Sequence, residues 1–225
     1  MKNIGMIVAV EIDAVLNEYK VPVEELEFRG YSVYKYKLEK YNLFVIHSGA
    51  GQIAAAMTTQ FLITKFDVDL IVNFGVVGGL THEMKLTRTC IVESAIHYDF
   101  DTSEADGCEV GRYLDYPSIY IPATKEIVNK AMEIEPTLKK VICASGDKFI
   151  ATKEEKEKLS KLYKADICEM EAASIILTCN KNQIPCLLIK TISDSISGGV
   201  EEFKSSVNES ARVCIEITNK IINNI

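Results

Sequence analysis

Short β-branched runs alternate with amphipathic stretches of helical period along nearly the whole chain, and this alternation limits the possible folds more than any other feature. Strands are expected at Asn3–Val10, Tyr31–Lys37, Leu43–His47, Leu70–Phe74, Thr89–Ala95, Lys140–Ala144, Ala165–Met170 and Cys186–Ser193. Helices are expected at Ile12–Glu18, Gln52–Lys65, Thr124–Ile134, Lys153–Leu162, Ala172–Asn182 and Glu201–Asn223. "TKEE" at 152–155 has the pattern of a capping box, and "NQIP" at 182–185 stops one helix before the next strand. Strands joined through helices imply a largely parallel sheet covered on both faces. The pair 31–37 and 43–47 is separated only by a short polar link and reads as an antiparallel hairpin. The expectation is therefore an α/β fold with a twisted, mixed β-sheet flanked by helices.

Its 225 residues suit one such domain, spanning 1–225, and are awkward for two; no Pro/Gly/Ser-rich linker divides them. A net charge of −7 without a basic stripe argues against nucleic-acid binding. The seven cysteines are scattered, with no CxxC or Cys/His cluster, so neither a zinc site nor a disulfide framework is expected. The apolar run Ile4–Val10 is too short, and too soon followed by Glu11 and Asp13, for a signal peptide or a membrane span. A cytoplasmic protein fits best. The stretch 96–122 lacks clean periodicity, and a loop of that length is usually functional or ordered by a partner.

Candidate chemistry gathers where strands hand over to helices or loops. "SGAGQIA" at 48–54 has the G-x-G-x-x-A spacing of a dinucleotide turn, but the acid expected after the next strand is missing, so the glycines more simply allow close helix–sheet packing. "NFGVVGGL" (73–80), "SGDKFIA" (145–151), "CEMEAAS" (168–174) and "TISDSISGG" (191–199) follow the same plan, at the sheet edge where open α/β folds bind ligands. Glu171 falls at a strand-to-helix switch, where the helix N-terminus favours a carboxylate able to accept from vicinal hydroxyls, with Met170 as a soft apolar surface beside it. Asp194 ends an apolar strand and precedes a glycine-containing segment. Held protonated, it could donate to a heterocycle nitrogen; a shift of ~3 units, or ~4 kcal/mol, would be required.

In order, "IGMIVAVEIDAV", "SGAGQIAAA", "NFGVVGGL", "SGDKFI", "CEMEAA" and "TISD" resemble the nucleoside phosphorylase/nucleosidase superfamily, and within it the methylthioadenosine/S-adenosylhomocysteine nucleosidases. The resemblance covers essentially the whole chain. It implies a cofactor-free, metal-free hydrolysis of an N-glycosidic bond that releases adenine, in a homodimer whose partner loop helps close each site. It also implies roles. Asp194 would be the general acid at purine N7, oriented by Ser193, while Phe149 stacks on the base and the backbone of Ile150 reads its edge. Glu171 would bind the ribose hydroxyls over Met170, with Glu169 among the binding residues in a less defined part. Val76 to Gly79 would form the turn beside sugar and nucleophile.

Three positions depart from that pattern. Asp13 stands where the nucleosidases carry a glutamate that deprotonates the attacking water, Val76 where they carry serine, and Lys190 where they carry arginine. The phosphorylases hold phosphate with an arginine and a hydroxyl around the same turn; here those positions are Asn73 and Val76. A purine nucleoside phosphorylase, or a nucleoside-binding homologue with little turnover, is the alternative to a nucleosidase.

Overall fold

Strand β1 (Lys2–Val8) pairs in parallel with β4 (Tyr41–His47) on one side and β5 (Leu70–Gly79) on the other. The computed structural model describes residues 1–225. Beyond β4 the expected hairpin is present: β3 (Tyr31–Lys37) runs antiparallel to it, and β2 (Glu24–Phe28) forms the outer edge. Sequence reasoning missed β2 because "EELEF" is mostly charged, as befits an edge strand paired on one side only.

On the other side the sheet curls. β5 pairs with β10 (Cys186–Asp194), β10 with β6 (Thr89–His97), β6 with β8 (Lys139–Ser145), β8 with β9 (Ile167–Glu169), and β9 returns to β5. These five strands form a closed ring. A two-residue strand, β7 (Ile121–Pro122), pairs with β6. Parallel and antiparallel pairs coexist, so the sheet is mixed.

Seven helices cover it: α1 (Ile12–Tyr19), α2 (Gln52–Phe66), α3 (Ser103–Asp106), α4 (Lys125–Ile134), α5 (Lys153–Tyr163), α6 (Ala172–Asn182) and α7 (Val200–Ile222). The six expected helices match to within a residue at each end. α3 is a single turn inside the 96–122 stretch, whose ends belong to β6 and β7 and whose remainder follows loop geometry. One large core fills the space between sheet and helices, built on strand residues such as Met6, Val45, Ile71, Phe74, Ile91 and Ile189. Six of the seven cysteines are buried free thiols that behave as small core residues. No helix is long and apolar enough to cross a membrane.

Two expected elements differ in a way that matters for the site. "NFGVVGGL" is not a turn: β5 continues through Gly79, pairing Val76 with Thr191 and Gly78 with both Asp194 and Cys168. The glycines are in strand because other side chains need the space a Cβ would take. β9, expected over Ala165–Met170, is only three residues long, since Glu171 already occupies the N-cap position of α6.

Candidate active site

The carboxyl ends of the strands enclose one cavity. Val76 and Gly78 of β5, Ser193 and Asp194 of β10, and Cys168 and Glu169 of β9 form its floor. The β8–α5 connection adds Phe149 and Ile150, the α6 start adds Met170 and Glu171, and Phe203 reaches in from α7. Asp194 and Glu171 thus line the same space, as the sequence reading required. Phe149 is 41% exposed and meets Phe203 edge-on at 5.4 Å between ring centroids, leaving a ring face for a planar ligand.

Asp13 does not belong to this cavity. It lies in the first turn of α1 and is exposed, because Ile12, Val15 and Tyr19 take the inward face of that helix. The carboxylate at the site is Glu11, two residues earlier. β1 ends at Val8, and Glu11, at the N-cap of α1, is 6% exposed. The amide of Val76 donates to its Oε1 (2.7 Å) and that of Val10 to its Oε2 (3.0 Å). Gly75 makes this possible: a Cβ there would stand 3.0 Å from Glu11 Oε1. The signal was present in the sequence, since helical periodicity turns position 13 outward and leaves 11 at the junction.

Glu169 and Glu171 divide their labour differently from the expectation. The carboxylate of Glu169 accepts from the amides of Glu171 (3.0 Å) and Ala172 (2.9 Å), so Glu169 caps α6. It also accepts from Lys190 Nζ at 3.1 Å. Burial opposes its ionisation, but Lys190 and these hydrogen bonds outweigh that and hold it below the usual carboxylate range. Glu171 has no helix amide to itself. Its Oε1 accepts from Gly51 N–H (2.9 Å), and burial, reinforced by the charge of Glu169, pushes its pKa up to about 7.

Lys190, expected among the binding residues, lies beneath the cavity rather than in its lining. Burial works against its charge, yet Glu169 and Glu171 more than compensate and raise its pKa. Its ammonium is committed to Glu169 and does not reach a ligand.

Asp194 is 2% exposed. Ser193 Oγ stands 3.0 Å from its Oδ1 and 3.3 Å from Val77 O, sharing its one proton between these two acceptors, which restrains the carboxyl's rotation. Gly78 leaves room for it: a Cβ there would be 3.0 Å from Cys168 Sγ and 3.2 Å from Asp194 Oδ2. A partner that sequence reasoning missed, Lys156 of α5, forms a buried ion pair with Oδ2. Around one cavity stand four buried carboxylates: two paired with lysines, Asp194 and Glu169, and two held only by backbone amides, Glu11 and Glu171.

The family profile described as "Phosphorylase superfamily" matches residues 4–223. The chain belongs to the phosphorylase superfamily. Among superfamily relatives, it is 28% identical over 208 residues to an aminodeoxyfutalosine nucleosidase of Helicobacter pylori, covering 87% of this chain and 86% of that one. It is also 28% identical over 216 residues to a 5′-methylthioadenosine/S-adenosylhomocysteine nucleosidase of Staphylococcus aureus, covering 93% and 94%. The superfamily fold superposes closely. The H. pylori 5′-methylthioadenosine/S-adenosylhomocysteine nucleosidase solved with butyl-thio-DADMe-Immucillin-A aligns with a TM-score of 0.93 at 27% identity, over 100% of this chain and 99% of that one.

Proposed function

We propose that this protein is a purine-nucleoside N-ribohydrolase that cleaves 5′-thio-substituted adenosines, such as methylthioadenosine and S-adenosylhomocysteine, to free adenine. What carries the proposal is the convergence of three carboxyl groups with distinct environments, Asp194, Glu171 and Glu11, on one cavity that has an aromatic face. Relatives named as an aminodeoxyfutalosine nucleosidase and a 5′-methylthioadenosine/S-adenosylhomocysteine nucleosidase support the same reaction class.

The adenine would stack on Phe149, with the Ile150 backbone along its edge. Glu171, ionised, would accept from the ribose hydroxyls, and Met170 would pack under the sugar. As the C1′–N9 bond breaks, its electron pair moves into the purine while Asp194, in its protonated form, gives its proton to N7, so adenine leaves neutral. Glu11 takes a proton from water as the oxygen adds to C1′. General acid help of this kind is worth roughly 10²–10⁴-fold, and orientation supplies much of the rest. Gly51 donates to Glu171, so its neighbour Ala50, with Val10 beside Glu11, would meet the 5′ arm; both are apolar, which suits a thioether.

Water is a better nucleophile here than phosphate. Beside Asp194, the carboxylates of Glu11, Glu169 and Glu171 line the cavity, while Lys148, Lys156 and Lys190 are each engaged by a carboxylate. Asn73 donates its side-chain amide to Ile7 O (3.0 Å), away from any ligand. The test is to follow adenine release from methylthioadenosine, S-adenosylhomocysteine and aminodeoxyfutalosine with and without phosphate. Release that requires phosphate would establish a phosphorylase, and binding without release a nucleoside-binding protein.

A homodimer fits the same proposal. Exposed Ile53 and Met57 share a stripe of α2 with Gln60, which borders a groove that also contains Leu114 of the 96–122 stretch. Sedimentation velocity decides it.

A further inference from the structure

Lys156 stands out in a helix whose sequence, "KEEKEKLSKLY", reads as a solvated surface. Its neighbours Lys153, Glu154, Glu157 and Lys158 are exposed, yet Lys156 is 0% exposed and shares the inward face with Leu159. A lysine in an apolar position is unfavourable unless every proton on its ammonium finds an acceptor. Here all three do. Nζ donates to Asp194 Oδ2, to Ser195 O (2.6 Å) and to Gly198 O (3.1 Å). None is left for a ligand.

All three acceptors belong to the five residues 194–198. The same turn is tied from the other side by Glu202 of α7, whose Oε2 accepts from the amide and the hydroxyl of Ser195. The helix bearing Lys156 starts directly after Phe149 and Ile150: Thr152 is its N-cap, accepting from Glu155 N–H, and Ala151 O lies 2.6 Å from where a Gly199 Cβ would be. One rigid element therefore joins the segment facing the base to the acid and to the turn beyond it.

We propose that Lys156 is the positioning residue of the acid: by gripping Asp194 Oδ2 and the 195–198 turn together, it sets the carboxyl against the base-facing segment 149–150 and sets the pH range over which that carboxyl keeps its proton. This rests on the assignment of Asp194 as the group that protonates the purine. The groups facing Asp194 are the Lys156 ammonium from α5, the Ser193 hydroxyl on its own strand and the Cys168 thiol from β9, which burial pushes up to about 12 and keeps neutral. Glu202 of α7 stands one residue away on Ser195. Lys156 is the only cation in this set.

The test compares Lys156→Met, Lys156→Arg, Asp194→Asn and the double variant Lys156→Met/Asp194→Asn. With methylthioadenosine, Lys156→Met should lower kcat about 10²-fold, as misplacement of a reacting group does. The basic limb of its kcat–pH profile should move up by about 1–3 pH units, the shift an adjacent opposite charge produces. KM should change little, since Glu171 is untouched, and Lys156→Arg should return the limb toward its original position. Thermal unfolding gives a readout independent of turnover: Asp194→Asn alone strands a buried ammonium and should lower Tm at pH 8 more than the double variant does. Should wild-type protein release no adenine, the hydrolase assignment fails, while the Tm coupling and the pH at which adenine binding is lost in calorimetry still judge Lys156. An unmoved limb, or additive Tm changes, would overturn the proposal, even with kcat reduced.

Discussion

Replacing Glu11 by Gln separates the site built here from the one the sequence suggested, because Asp13→Asn serves as its internal control. Glu11 accepts from two backbone amides, Val76 N–H at 2.7 Å on Oε1 and Val10 N–H at 3.0 Å on Oε2. Glutamine keeps the size but offers one acceptor oxygen, so one of those amides must face an NH₂ group. Leaving that donor unsatisfied costs about 1–3 kcal/mol. Part of this is offset, since removing an anion relieves Glu171, whose proton affinity Glu11 helps to raise. The larger effect is on rate. An amide cannot take the proton of the attacking water, and loss of a general base removes about 10²–10⁴-fold. Asp13, exposed in the first turn of α1, makes no comparable contact; Asp13→Asn should leave stability within about 0.5 kcal/mol and the rate unchanged. The assay is steady-state adenine release, with denaturant unfolding of each variant to show that it is folded. Retention of more than about a tenth of the wild-type rate by Glu11→Gln would refute the reasoning. So would a slow Asp13→Asn.

Glu171 gives a pH prediction. Its pKa is raised from 4.5 to about 7 by burial and by Glu169, so the folded state binds this proton more tightly than the unfolded one. The group therefore costs nothing below pH 4.5, and its penalty grows to roughly 3 kcal/mol above pH 7. Glu171→Gln should be more stable than wild type at pH 8 and no more stable at pH 4, by denaturant unfolding, while its KM for methylthioadenosine rises steeply; wild-type KM should itself rise as pH falls below about 7. Gly78→Ala puts a methyl group 3.2 Å from Asp194 Oδ2 and should cost about 10²-fold in kcat with the fold kept, checked by circular dichroism. Val76→Ser adds a hydroxyl beside the amide that holds Glu11, and one further hydrogen bond to the attacking water should raise kcat by about tenfold.

Much of the architecture could be read from periodicity alone. The helices are delimited by ordinary punctuation such as Thr152 and the "NQIP" stop, and the hairpin by a short polar link. The cavity segments were legible because strand ends in this fold class converge. What escaped was governed by tertiary contact. Glycines at 75 and 78 read as a turn, whereas they lie within β5 and leave room for two carboxylates. Glu11 read as the end of an apolar run, since only the early end of β1 at Val8 brings it back over the sheet. Glu169 and Glu171 could not be told apart until one was seen to take the α6 amides. Lys156 sits at an inward helical position where pattern reasoning expects an apolar residue, and its three acceptors lie about forty residues away.

Because β5, β9, β8, β6 and β10 pair edge to edge around a closed ring, the frame that bears Asp194, Glu169 and Val76 has no free margin along which a strand could slip. A shift in any one ladder must be accommodated by the other four at once. Insertions and exchanges in the connecting segments can thus be accommodated without changing the spacing of the groups that the ring carries. Variation in the connections and constancy of the buried groups are mechanically uncoupled in such a cage.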